Sequence, residues 1–381
     1  NNEDEDDEGF NSAQFDNIEE QKERLSVKCQ CIGMFEILAQ DYLNDLIDTE
    51  TIINKELGLK LIEQVGNFVK TKETDFHPGS NNQIVDIVHP SLYCYTSGVS
   101  KTSKDVNHSI LYQWLPSNFS VEKTASGVVK QVSINSYINN IDHKKYPDMY
   151  KCIGEIFGKF VPSFENVLIT LKNRGKVKTY TDLSECQVIV KLGSTVLDPK
   201  NPTYEGGSWH LEGMPAEKII ATGIYYYDVD NISETKLEFR ATSDGTWDAV
   251  SYPQNGTTYV ERHYNMNELE TSTWCDYETT FELGHVKTKK DMCLVFPNFM
   301  QHKVSSFRIN DVNKTGHRDM LVFFLVDPSQ KILSTADVKP QQSKMSLDDA
   351  KLYRELLMFQ RKYEIADQSS FYERGWSLCE H

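Results

Sequence analysis

The run CQVIVKLGSTV, Cys186 to Val196, is where the character of the chain changes. It is short, apolar and β-branched, and it lacks the three-and-four spacing of a helix, so it reads as a strand. Six runs of similar texture follow: KIIATGIYYYDV (218–229), KLEFRAT (236–242), TTFELGHV (279–286), DMCLVFP (291–297), HKVSSFRI (302–309) and HRDMLVFFLVD (317–327). Gly, Pro, Asn or Asp breaks them apart, and no helical segment separates them. Strands that succeed one another in this way build an antiparallel sandwich or barrel, not a parallel sheet with crossover helices. The expected strands are Gln187–Leu192, Ile219–Tyr227, Leu237–Arg240, Met292–Phe296, His302–Ile309 and Asp319–Val326, in two facing antiparallel sheets.

Working outward, the N-terminal side is different. NNEDEDDEG is an acidic, low-complexity start expected to be solvated. Helical periodicity runs from about Ile18 to Lys72, through MFEILAQDYLNDLI and DTETIINKELGLKLIEQVGNFV, with Asp48 and Thr49 as candidate caps. From His77 to Asn140, Pro, Gly, Ser and Asn recur every few residues, which favours loops and short strands. PDMYKCIGEIFGKFVPSFENVLITLKN, from Pro147, is helical again. On the far side, SLDDAKLYRELLMFQRKYE is a helix that Ser346 can cap, with Asp348 and Asp349 in its first turn and Arg361 and Lys362 in its last. The expected organisation is an acidic tail over 1–15, a helical and loop-rich region over 16–180, a β domain over 181–345, and a C-terminal helix and tail over 346–381. The fold class is α+β.

Composition limits the function. A net charge of −16 over 381 residues repels phosphate backbones and anionic membranes, so nucleic acid is an unlikely partner. No apolar run approaches the ~20 residues that span a bilayer, and no secretory signal is visible. A cytoplasmic location is expected, with a mitochondrial one as the alternative if a transit peptide preceded Asn1. Eight cysteines in a chain of this length do not suggest a disulfide scaffold, and Cys29 and Cys31 are one residue short of CxxC spacing.

Within the β region lies GGSWHLEG, Gly206 to Gly213. His210 and Glu212 are two apart, so on a strand both point the same way. His302 comes much later, in FPNFMQHKV, and Arg318 stands at the head of the last long strand. Two histidines and one carboxylate can occupy one face of an octahedral iron and leave the other positions open for a co-substrate and dioxygen. An arginine nearby can clamp a carboxylate through a planar, bidentate pair. A dicarboxylate could then chelate the metal at one end and meet Arg318 at the other.

In this order, His210, Glu212, His302 and Arg318 resemble the H-x-(D/E)…H…R signature of the iron(II)- and 2-oxoglutarate-dependent oxygenases. HPGSNNQIVDIVHPSLY, YQWLPSNF, SYINNI, GGSWHLEGM, IYYYD, FPNFMQHKV and GHRDMLVFFLVDP together resemble, more closely, a largely fungal family of domains of unknown function, family 4246. The resemblance implies a double-stranded β-helix (a jelly roll, cupin-like), Fe(II) held by His210, Glu212 and His302, and 2-oxoglutarate as co-substrate. It further implies dioxygen and a second substrate, a small molecule or a protein side chain, that is hydroxylated or demethylated. Glu212 stands where Asp is commoner. Met320 stands where a Ser or Thr often helps to hold the co-substrate, so a tyrosine hydroxyl, of Tyr225, Tyr226 or Tyr227, is expected to assist, with Tyr225 and Tyr227 taken as the candidates.

Four further residues are weaker candidates for supporting the site or lining the substrate entrance. Gln301 adjoins His302, Lys191 could pair with the carboxylate ligand, and His89 lies in DIVHPSLY near His77. Trp209 faces opposite His210 and is expected to pack under the sheet. His317, adjacent to Arg318, should point away from the metal. Two rival readings remain: a jelly-roll metal-dependent dioxygenase that does not use 2-oxoglutarate, and a scaffold protein whose site is vestigial.

Overall fold

The computed structural model describes residues 47–102, 104–173, 182–242, 277–278, 280–372 and 375–376. The acidic start, Cys29, Cys31 and the helical periodicity before Ile47 lie outside these residues.

In chain order the principal elements are β1 (Asp48–Glu50), α1 (Lys55–Val69), β2 (Ile84–Val88), β3 (Ser117–Lys123), β4 (Val129–Ile134), α2 (Pro147–Asn173), β5 (Glu185–Leu197), β6 (Ile219–Asp230), β7 (Thr235–Thr242), β8 (Thr280–Thr288), β9 (Met292–Pro297), β10 (Gln301–Val304), β11 (Gly316–Val326) and α3 (Leu347–Tyr372). The large sheet runs β1-β9-β6-β11-β5-β3-β4, with β2 also paired to β5, and the small sheet runs β8-β7-β10. The pairings between these strands are antiparallel throughout. This is a double-stranded β-helix: early and late strands alternate across two facing sheets.

Strand alternation divides the large sheet into two faces. Val188, Val190, Leu192, Ala221, Tyr225, Tyr227, Cys293, Val295, Leu321, Phe323 and Leu325 face the helices and form one buried cluster with α1 and α2. Ile189, Ile224, Tyr226, Leu294, Phe296, Val322 and Phe324 face the other way and meet Leu237, Phe239 and Leu283 of the small sheet. α2 closes on the sheet at Gly223, where a Cβ would lie 2.8 Å from Phe164 and 2.9 Å from Phe160. A glycine is needed there for close approach.

Two helix ends differ from expectation. Asp48 and Thr49 are not caps. They belong to β1, where Thr49 pairs with Leu294. The cap of α1 is Asn54, whose Oδ1 accepts the Leu57 N–H at 2.9 Å. The apolar period is genuine, since Leu57, Leu61, Val65 and Phe68 are buried, but an open strand edge took the residues before it. At the other end, Ser346 does cap α3 through the Asp349 N–H at 3.1 Å. Because α3 continues to Tyr372, Arg361 and Lys362 are interior rather than terminal. HKVSSFRI is interrupted: Gln301–Val304 pairs with β7, and Phe307–Arg308 pairs separately with Thr203–Tyr204.

Candidate metal centre

His210 and His302 sit directly opposite each other. The His210 N–H donates to the His302 carbonyl at 3.2 Å and the His302 N–H returns the bond at 3.1 Å. Their rings are 4.4 Å apart. The approach to this pair depends on Gly206, at φ +103°, where a Cβ would come within 3.0 Å of the Val304 carbonyl. Glu212 follows two residues on, and the Asn298 side chain fixes its backbone from both sides. The amide oxygen accepts the Glu212 N–H at 2.8 Å, and Nδ2 donates to the Glu212 carbonyl at 2.8 Å and the Ile219 carbonyl at 3.0 Å.

These bonds bring three donor atoms together. Glu212 Oε1 lies 3.4 Å from His302 Nε2 and 3.8 Å from His210 Nε2. One ligand atom from each of the three residues falls within 4.8 Å of the others. His210 Nδ1 is 2.8 Å from the Ser208 carbonyl, which can only accept, so Nδ1 carries the hydrogen. Nε2 then faces the carboxylate, where either a proton or a metal ion can sit between the two, and a backbone carbonyl that holds Nδ1–H is a recurrent support for a metal-binding histidine. His302 is buried against Phe296 at 4.8 Å and Phe239 at 6.2 Å.

The electrostatics agree. Burial acts to raise the Glu212 carboxyl, but His210 and His302 override it and hold the group well below the usual carboxylate range. Burial acts to lower His210, and Glu212 reverses this so that it rises. Burial and the neighbouring His210 lower His302. Two imidazole nitrogens and a deprotonated carboxylate suit a first-row divalent ion such as Fe(II), so the residues fit the metal.

Arg318 lies on the inner face of the large sheet, only 2 % exposed. Its guanidinium stacks 5.3 Å from the Tyr226 ring and 5.5 Å from that of Phe307. Among the described residues Nη2 reaches only Met320 Sδ, at 3.4 Å, and Nε has no partner. Burial depresses its pKa, and Tyr226 and Tyr204 are the groups that favour its charge; no carboxylate among the described residues does so. The assisting tyrosine is a correction. Tyr225 and Tyr227 point to the helix-facing side, where the Tyr225 hydroxyl donates to Asp291 at 3.5 Å. Tyr226, between them, is the one beside Arg318, and its buried hydroxyl has no partner among the described residues. The period of two makes the middle residue of YYY face inward when its neighbours face out.

The remaining candidates distribute unevenly. Gln301 is buried next to His302 and accepts Arg240 Nε at 2.6 Å. Trp209 does not pack under the sheet. It is half-buried between two cations, with Arg240 4.9 Å and Lys303 4.5 Å from its ring, because β7 and β10 present long basic side chains on that side. Lys191 lies on the inner face of β5, half-buried, with its chain over Gly193. It makes no ion pair with Glu212 among the described residues. His89 is 5 % exposed, its Nδ1 accepting the Ser91 N–H at 3.2 Å. It lines a cavity of about 730 Å³ between α1, the 137–146 loop and the start of α3, whose walls include neither His210 nor His302.

Glu217 and Arg361 carried no signal in the sequence, since one pairs with the other across 144 residues. Glu217 is fully buried. It accepts the Trp114 and Met214 N–H groups at 2.7 Å and Arg361 Nη2 at 3.0 Å on both oxygens. Arg361 also stacks 3.6 Å over Trp114. This ties α3 to the turn that leaves Glu212. Gly213, at φ +76°, is needed in that turn because a Cβ would lie 2.8 Å from Glu217 Oε2.

The profile of the family described as protein of unknown function (DUF4246) matches residues 15–181 and 172–349. No curated protein matches the chain. Among solved structures it is similar to the Fe(II)/α-ketoglutarate-dependent dioxygenase TqaL, with 12 % identity over 80 % of this chain and 91 % of that one at a TM-score of 0.36. It is also similar to IDO from Bacillus thuringiensis, at 8 % identity, 76 % and 94 % coverage and a TM-score of 0.33. A prolyl-4-hydroxylase from Pseudomonas putida matches at 6 % identity, 76 % and 98 % coverage and a TM-score of 0.30.

Proposed function

The chain belongs to the family described as protein of unknown function (DUF4246), and from that premise we propose that it is a non-haem iron(II)- and 2-oxoglutarate-dependent dioxygenase. The reaction converts 2-oxoglutarate, dioxygen and a substrate C–H bond into succinate, carbon dioxide and a hydroxylated substrate; on an N-methyl group the same chemistry gives demethylation. His210, Glu212 and His302 are the residues that would hold the iron, which when bound orients and activates dioxygen.

The observation that carries this reading is the state of Arg318. A guanidinium buried without an anion is costly, and an incoming carboxylate satisfies it bidentately. Arg318 faces the same inter-sheet space as His302, so one dicarboxylate can be shared between metal and arginine. Tyr226 would donate its unpaired hydroxyl to the carboxylate that Arg318 binds. Phe296, Phe239 and Phe307 keep water from the site, which strengthens each polar contact inside it.

The test is an anaerobic titration of 2-oxoglutarate into the iron-loaded protein, following the visible metal-to-ligand charge-transfer band. A saturable band supports the reading. An iron-loaded protein that gives no band overturns the 2-oxoglutarate assignment, and Arg318 would then hold a carboxylate of the substrate itself.

A further inference from the structure

A second group of donor atoms lies on the other side of the strand that carries Arg318. Asp228 on β6 and Asp319 on β11 are register partners, directly opposite each other. His317 is two residues before Asp319 and shares its face. One ligand atom from each of the three lies within 4.8 Å of the others. Like charges placed opposite on neighbouring strands are destabilising unless something neutralises them.

The register explains how this face is built. Asp319 pairs with Asp228 and Met320 pairs with Tyr226, which leaves Tyr227 as the extra residue of a β-bulge. Tyr226 and Val229 pack toward the small sheet, whereas Tyr227 packs in the helix-side cluster. The bulge thus sets Tyr227 and Asp228 on the same side. The Tyr227 side chain is 1 % exposed, and its hydroxyl has no hydrogen-bond partner among the described residues. Tyr227 shares the side of Asp228, and besides burial the charges of Asp319 and Asp228 raise its pKa, which puts its hydroxyl in the neighbourhood of this group.

The individual oxygens are already sorted. Lys290 Nζ takes Asp228 Oδ1 at 2.5 Å. Ser194 Oγ donates to Asp319 Oδ1. Asp228 Oδ2 pairs with His317 Nε2 at 3.2 Å, a contact that a cation would replace, and a carboxylate oxygen of Asp319 completes the set. Asp228 and His317 are 23 % and 33 % exposed, so an ion could enter from solvent.

We propose that Asp228, His317 and Asp319 form a second divalent-cation site, distinct from the His210–Glu212–His302 centre, with Tyr227 as its hydroxyl neighbour. Two carboxylate oxygens and one imidazole nitrogen are the donors of a borderline first-row ion, and with a water they complete the tetrahedron that zinc favours. The site bridges β6 and β11, and through Ser194 it touches β5. It fixes the backbone on both sides of Arg318, because His317 and Asp319 face outward where Arg318 faces in. The proposal does not depend on which co-substrate Arg318 binds.

The experiment is calorimetric titration of Zn²⁺ into the metal-free full-length chain carrying His210→Ala and His302→Ala, which disables the inner centre. One equivalent should bind. Adding His317→Ala, or the near-isosteric Asp319→Asn, should weaken that binding by about tenfold or more. If the double variant does not fold, metal stoichiometry decides: His317→Ala should bind one equivalent fewer than the unsubstituted chain. Failure of Zn²⁺ to bind the folded double variant, unchanged affinity after both outer substitutions, or equal stoichiometry in the last comparison would overturn the proposal.

Discussion

Arg318 and Asp86 are buried charges in opposite situations, and each gives a measurable consequence. Arg318 has its charge and no anion. Replacing it with lysine keeps the charge and removes the planar fork, so Arg318→Lys should weaken 2-oxoglutarate binding by about ten- to a hundredfold, roughly 1.5–3 kcal/mol. Iron binding should be unaffected, and the charge-transfer titration measures both. Asp86 instead has basic side chains around it. Burial acts to raise its carboxyl, yet His89, His77 and Lys191 bring it down to about 2. His77 Nδ1 lies 3.0 Å away and Arg354 Nη1 3.5 Å. Because the folded-state value is below the unfolded one, the stabilisation is complete above about pH 4 and is lost as pH falls through 2. Its size is roughly 2 kcal/mol. In urea denaturation, Asp86→Asn should be less stable than the unsubstituted chain at pH 5, and the gap should narrow between about pH 4 and 2. The candidate ligand group was legible at this scale because H-x-E spacing on an extended backbone needs no partner to be read. Asn298 was not, since its role is to hold a backbone 86 residues away in sequence. Tyr226 was misassigned because alternation says which tyrosines share a face but not which face is inside.

Among the elements, α3 has the largest influence on the site for its distance from it. Arg354 reaches Asp75 at 2.6 Å, and Arg361 reaches Glu217. Arg361→Ala would leave a fully buried carboxylate with two backbone donors and no counter-charge, a loss of about 3–5 kcal/mol. The turn after Glu212 would loosen with it, so divalent-metal affinity should fall by about ten- to a hundredfold. Thermal unfolding and a metal titration measure the two effects. An unchanged metal affinity would mean that α3 supports the fold without positioning Glu212. Strand identity was readable from texture, and the β5, β6, β9 and β11 runs were all anticipated. The helix-to-strand exchange at Asp48–Glu50 was not. A three-residue strand has no periodicity of its own, and the free edge of β9 is what recruits it. The interruption between β10 and Phe307 was hidden for a similar reason, since its two halves pair with different partners.

At the scale of the whole molecule, the two-sheet architecture followed from the order of the strands, and its helix-covered face followed from α2. The order of the sheets and the clamp between α3 and the Glu212 turn depend on pairings far apart in sequence, which local pattern does not carry. A site assembled this way links folding to occupancy. A divalent ion at one hundred times its dissociation constant should add about 2.7 kcal/mol to stability by mass action. Mn²⁺, which does not turn over, should therefore raise the melting temperature of the unsubstituted chain, and Glu212→Gln should reduce that rise. Equal shifts in both would place the stabilising ion elsewhere. The salt bridge from α3 to Glu217 also bears on how the chain is made. Arg354 and Arg361 are synthesised long after the strands they secure, so on the ribosome the ligand turn forms with its buried glutamate still unpaired. The Arg361–Glu217 contact can form only after residue 361 has left the ribosome. A prematurely terminated product keeps all three candidate ligands, His210, Glu212 and His302, but lacks Arg361, so under the proposed function it should load metal less readily than the finished chain.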